Sequence, residues 1–226
     1  MEPEEAAIIG GGSPEQPERK RLRWFVLEEG AWILAAFAAT VLVTRLVAAR
    51  GGAWAAAAPG IALFGFHGLV GLHVVRADGA KLPGWLRLDR HIALWGAAGG
   101  AALLALNALY GAVLDALGVV PPDVAAELRA IVPEGALLLW AGLLAPVVEE
   151  LYFRGRLLEA LDDRLGPAWS GAITSIGFAA VHGIREFFPA YLAFAVALLY
   201  LRRRTGGLAA PMIAHVLNNV FALYGG

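Results

Sequence analysis

The chain has 226 residues, of which 59% are hydrophobic and only 16% charged, with a mean hydropathy of +0.64. That is too apolar for an ordinary soluble domain and points to an integral membrane protein. A formal net charge of -1 gives no polyanion-binding signature, so nucleic acid is not an expected partner, and the lack of any cysteine excludes disulfides and thiolate chemistry.

Residues 1–23 are polar and rich in Pro, Gly and Glu, and read as a flexible cytoplasmic tail; no apolar stretch starts early enough for a cleavable signal peptide. Residues 24–47, 53–75 and 92–113 are each long enough to cross a hydrocarbon core of roughly 30 Å as a helix. Further on come 136–148 with an amphipathic continuation to 165, then 168–182, 188–201 and 208–224. The expected fold is all-α, a polytopic transmembrane helix bundle of about seven spans. It divides into the tail, N-terminal transmembrane helices over 24–130 and a membrane core over 131–226.

Assigning loops alternately puts Arg19, Lys20, Arg21, Arg23, Arg76, Lys81, Arg87, Arg90, Arg154, Arg156, Arg164, Arg202, Arg203 and Arg204 on one side, 14 of the 18 basic residues, against Arg45, Arg50, Arg129 and Arg185 opposite. By the positive-inside rule the Arg-rich side and the N-terminus are cytoplasmic and the C-terminus is outside. Gly96 and Gly100, and Gly60, Gly65 and Gly68, read as small residues for close helix approach. His67, His73 and Asn107 read as packing or interhelical hydrogen-bond groups. Arg202, Arg203 and Arg204 read as a topological anchor with contact to anionic lipid as a second role.

Chemistry is expected in the second half. Glu149 and Glu150 close an apolar run, and Arg154 follows one helical turn after Glu150, in the order that favours an ion pair. An ionisable side chain near the bilayer centre costs at least roughly 2.5–3.5 kcal/mol, so such groups normally face a protein interior. Glu149, without that partner, is the more available carboxylate and a candidate general base. The plainer alternative is a juxtamembrane helix whose charges, continued by Arg156, Glu159, Asp162, Asp163 and Arg164, face headgroups. His182 stands four residues after Phe178 at the end of an apolar run. With a turn at Gly166-Pro167, Glu149 lies about 26 Å and His182 about 22 Å from that turn, at similar depth on antiparallel helices. His215 and Asn219 share one face of the last span, where a polar interhelical clasp is the bland reading.

Glu149-Glu150-x-x-x-Arg154, Phe178-x-x-x-His182 and His215-x-x-x-Asn219, in this order over residues 136–224, resemble the motif set of the CPBP family, which includes type II CAAX prenyl proteases and bacteriocin-processing (Abi) proteins. No motif position departs from the family pattern. The resemblance implies an intramembrane endopeptidase with Glu149 activating water, His182 helping to hold that water, His215 with Asn219 stabilising the oxyanion, and Glu150, Arg154 and Phe178 in support. The expected partners are the bilayer and a membrane-associated protein or peptide, of CAAX or peptide/bacteriocin type. The expected location is a bacterial or archaeal plasma membrane. The favoured mechanism requires no cofactor; a divalent metal such as zinc held by Glu149, His182 and His215 is the alternative, although no His-Glu-x-x-His helix is present. A divalent-cation transporter and a non-catalytic immunity or scaffold protein are the competing functions.

Overall fold

The computed structural model describes residues 17–224, and among them every regular element is helical. α1 (Pro17–Ala48) and α2 (Gly52–Asp78) form a hairpin closed at Gly51 and Gly52, both at positive φ, where a side chain would be strained. The 3-10 turn Gly79–Lys81 and the short α3 (Leu82–Trp85) lead into α4 (Arg90–Ala116), whose N-cap Asp89 accepts from the Ile92 amide at 2.9 Å. α5 (Val124–Ile131) is short. A long composite helix follows: α6 (Glu134–Leu137), a π-helical stretch π1 (Leu138–Leu144), α7 (Ala145–Glu150), a second one, π2 (Leu151–Leu157), and α8 (Leu158–Val181). α9 (Phe188–Thr205) and α10 (Ala209–Tyr224) complete the bundle.

α8 is two helices in one register: Gly166 (φ 77°, ψ 167°) breaks it and Pro167 restarts it, as the Gly-Pro pair predicts. Counting its two arms separately gives seven long helices among the described residues. Four helical stretches, Arg21–Ala48, Gly52–Trp85, Arg90–Ala116 and Glu134–Val181, are long and apolar enough to cross a membrane by length and composition. Leu34, Phe37, Leu42, Leu94 and Leu109 stay exposed on these helices, as lipid-facing side chains do. The chain is an integral membrane protein.

Two expectations change. α1 begins at Pro17, so residues 17–23 are helix rather than tail; residues 1–16 lie outside the described part. Pro at a first helical position followed by Glu, Lys, Arg and Leu is a helix start, and the high charge of this turn obscured it. Close packing by glycine holds for α4 and fails for part of α2. A Cβ at Gly96 would lie 2.8 Å from Ile213 Cβ, and one at Gly99 2.5 Å from Leu201, which is how α4 lies against α9 and α10. Gly60 and Gly68 face open space and Gly65 only touches Thr40, whereas Gly71 meets Val148 beside the glutamates.

Candidate active site

The glutamates sit between the two π stretches. The Ala145 amide donates to the Trp140 carbonyl, five residues back, and Pro146 has no N–H to give, so the usual helical donors to the Ala141 carbonyl are missing. Asn219 Nδ2 donates to that carbonyl at 2.9 Å. A proline one turn before Glu149 thus creates an acceptor in the membrane, and a side chain on α10 satisfies it.

Glu150 points into the core. Arg154 Nη1 donates to its Oε1 at 2.9 Å, and His215 Nδ1 lies 3.0 Å from the same oxygen. Arg154 also donates to the Ala195 carbonyl at 3.1 Å and sits 4.3 Å over the Phe178 ring. Glu150, Arg154 and Phe178 are fully buried, so the pair is compensated by Coulomb attraction, hydrogen bonds and an aromatic face together. Phe178 stacks on Phe194 and meets Phe153, His182 and His215, fixing the helices that carry them.

Glu149 points the other way, into a cavity of about 510 Å³ that His182, Tyr191, His215, Asn218 and Asn219 also line. Its carboxylate has no short partner: His67 Nε2 lies 3.6 Å from Oε1 and His215 Nε2 3.8 Å from Oε2. His182 Nδ1 is 2.8 Å from the Phe178 carbonyl, which can only accept, so Nδ1 carries a proton and Nε2 of the neutral ring is a free acceptor. The ring stacks on Tyr191 at 4.3 Å. Asn107 Nδ2 donates to Asn218 Oδ1 at 2.8 Å, so an amide chain from α4 reaches α10 in the cavity wall.

Residues 132–221 match the model of the "Type II CAAX prenyl endopeptidase Rce1-like" family. Over residues 132–221 the chain is thus similar to the CPBP family. The chain is also 26% identical over 87 residues to the "Putative membrane peptidase YdiL" of Bacillus subtilis (strain 168), covering 38% of this chain and 36% of that relative. The match therefore spans about a third of the relative's length. No solved structure matches the chain significantly.

This segment brings all four sequence-derived candidates, Glu149, His182, His215 and Asn219, to one cavity, which Phe178 also lines, with the Glu150–Arg154 pair packed against Phe178. Several downstream charges have partners within the protein: Arg156 pairs with Glu29 and Asp78, and Glu159 accepts from Arg202 and Trp85. Arg203 likewise pairs with Asp162 and Arg204 lies over the Trp95 ring, so all three arginines read as a topological anchor have partners in the bundle. Asn107 and His73 do make interhelical hydrogen bonds, to Asn218 and Glu29.

His67 is the residue that sequence reasoning missed. It comes from α2, outside that segment, yet it is the nearest imidazole to Glu149 Oε1. Trp140 Nε1, a donor only, lies 3.1 Å from His67 Nδ1, so satisfying the indole puts the neutral ring's proton on Nε2, toward Glu149. Leu63 O, 3.0 Å from the same Nδ1, is then a contact and not an acceptor. His67 and Gly71 are one turn apart, and Gly71 is where α2 approaches Val148 in the structure.

Proposed function

We propose that this protein is an intramembrane endopeptidase in which Glu149 takes the proton of a water that attacks a peptide carbonyl in the cavity. The supporting observation is the contrast within the glutamate pair: Glu150 is consumed by Arg154 and His215, while its neighbour faces the cavity without a short hydrogen bond. A base must be within reach of its water and unencumbered. Under this reading His182 Nε2 accepts from the same water. His215, held through Nδ1 by Glu150, aims Nε2 at the cavity, and as the doubly protonated ring it donates from Nε2 to the oxyanion that forms at the attacked carbonyl. The proton held by Glu149 then goes to the leaving amine, which restores the carboxylate.

Asn219 has a second duty under this reading, since one N–H of its amide already serves Ala141; the other is left for the oxyanion. Asn218, on the same wall, is tied to Asn107. The metal alternative fits the residues poorly. Among the described residues no three His, Asp or Glu side chains are gathered so as to hold an ion. The reaction is accordingly read as metal-free. A transporter reading lacks a continuous polar path, because the Phe153, Phe178, Phe194 and Leu198 core lies behind the glutamates.

Peptide termini in membranes carrying the wild type and Glu149→Gln, compared by quantitative profiling, test the reading. New termini should appear only with the wild type, next to apolar segments; identical profiles at equal expression would remove the peptidase assignment.

A further inference from the structure

We infer that the cavity takes its substrate from the membrane face opposite the Arg-rich loops, so that the substrate is a polypeptide segment exposed outside the cytoplasm. The inference rests on the peptidase reading for what the cavity holds, and on separate observations for where it opens.

The first is which ends of the helices form the cavity. Its outer wall comes from Leu114 and Asp115 in the last turn of α4, Pro121, Val124 and Leu128 in the α4–α5 connection and α5, and Phe187 before α9. These positions flank Arg129 and Arg185, at the end with few basic residues. No cavity residue comes from 76–90, 154–164 or 200–206, the stretches that carry the other end's arginines.

The second is that the opposite end is closed. The rings of Phe178 and Phe194 wall the cavity, and outside its lining lie the buried Glu150–Arg154 pair and Phe153, which packs on Phe178. Further along, α3 turns back into the bundle: Trp85 presses on Gly155, the Leu208 amide donates to the Trp85 carbonyl at 2.6 Å, and the Trp85 indole donates to Glu159 at 2.7 Å. A peptide approaching from the Arg-rich side would have to displace a core and two ion-pair layers.

The third is the charge asymmetry itself, which sets orientation through short loops and therefore assigns the closed, Arg-rich end to the cytoplasm. A motif displayed in the cytoplasm would meet the closed end. A translocated peptide, or the outer flank of a membrane protein, would meet the mouth, whose rim is apolar apart from Asp115.

The chain has no cysteine, so single-cysteine variants report exposure without background. Asp115→Cys at the mouth and Arg87→Cys at the other end both replace exposed side chains. In intact cells expressing the full chain, a membrane-impermeant maleimide should modify Asp115→Cys at least tenfold more than Arg87→Cys, and permeabilisation should bring Arg87→Cys level. Val120→Cys, 92% exposed in the same connection, gives the same reading should Asp115→Cys insert poorly. The reverse labelling pattern overturns the inference. So do Glu149-dependent cleavage sites confined to cytoplasmic segments. Labelling as expected with no Glu149-dependent cleavage on either face upholds the mouth's position and refutes the peptidase reading.

Discussion

Two clusters of carboxylates, histidines and arginines stand out among the described residues, and the second lines the cavity described above. At the Arg-rich end, Glu29 accepts from Arg156 at 2.5 and 3.0 Å and lies 3.2 Å from His73, whose ring stacks on Trp32. Asp78 pairs with Arg156 and Lys81, and Glu159 with Lys81, Arg202 and Trp85. Every carboxylate there has a cation at 3.2 Å or less. In the second cluster Glu150 is held through Oε1 by Arg154 and His215, while Glu149 has no partner closer than 3.6 Å. Buried charge inside a membrane is therefore no sufficient mark of a site; an unsatisfied carboxylate beside a cavity is the better one. The first cluster clamps α1, α2 and α3 to the composite helix and to α9, and the second leaves Glu149 facing the cavity.

Substitutions should separate the two. Glu149→Gln keeps shape but cannot take water's proton, so turnover should fall on the order of 100- to 10,000-fold with unchanged thermal unfolding in detergent. Glu29→Gln should do the opposite, costing about 1.5–3 kcal/mol of stability through weakened charge-assisted bonds while the folded fraction still turns over. A Glu29→Gln protein that is stable but inactive would erase the distinction.

Arg154→Ala leaves Glu150 charged and unpaired in the core, and should destabilise by about 3–5 kcal/mol. Adding Glu150→Gln should restore part of that loss in the same unfolding assay. If the double variant is no more stable than Arg154→Ala alone, the pair is not what makes the arginine necessary.

Smaller effects are expected where groups act through Glu149. His67→Ala should lower kcat on the order of 10-fold and shift the acidic limb of the pH–rate profile, with KM little changed; a purely structural role for His67 would lower the amount of folded enzyme and leave that limb in place. Asn219→Ala removes the partner of the Ala141 carbonyl as well as an oxyanion donor, so it should reduce both kcat and thermal stability. His215→Gln should reduce kcat with a smaller stability change, and equal stability losses in the two would contradict the reading of the Pro146 break.

These expectations also show what the sequence could convey. The Glu150–Arg154 pair was legible because both residues lie on one helix, one turn apart. The matching depth of Glu149 and His182 was legible because Gly166-Pro167 fixes where the chain reverses. His67 was not, since its contact with Glu149 joins helices 82 positions apart and depends on how α2 leans on Val148. The Asn219–Ala141 bond was half legible: Pro146 announces a carbonyl without a donor, but only the packing of α10 says which side chain answers it. The downstream charges looked like a solvated face because their partners, Glu29, Asp78 and Arg202, lie on other helices.

The central claim is that Glu149 activates water without a metal. The direct measurement is peptide cleavage by purified wild type and Glu149→Gln after exhaustive chelation, with bound metal determined in the same samples. The account predicts chelator-resistant cleavage by the wild type and none above about 1% by the Gln variant. Cleavage that chelation abolishes and zinc restores, or equal cleavage by both proteins, would contradict it.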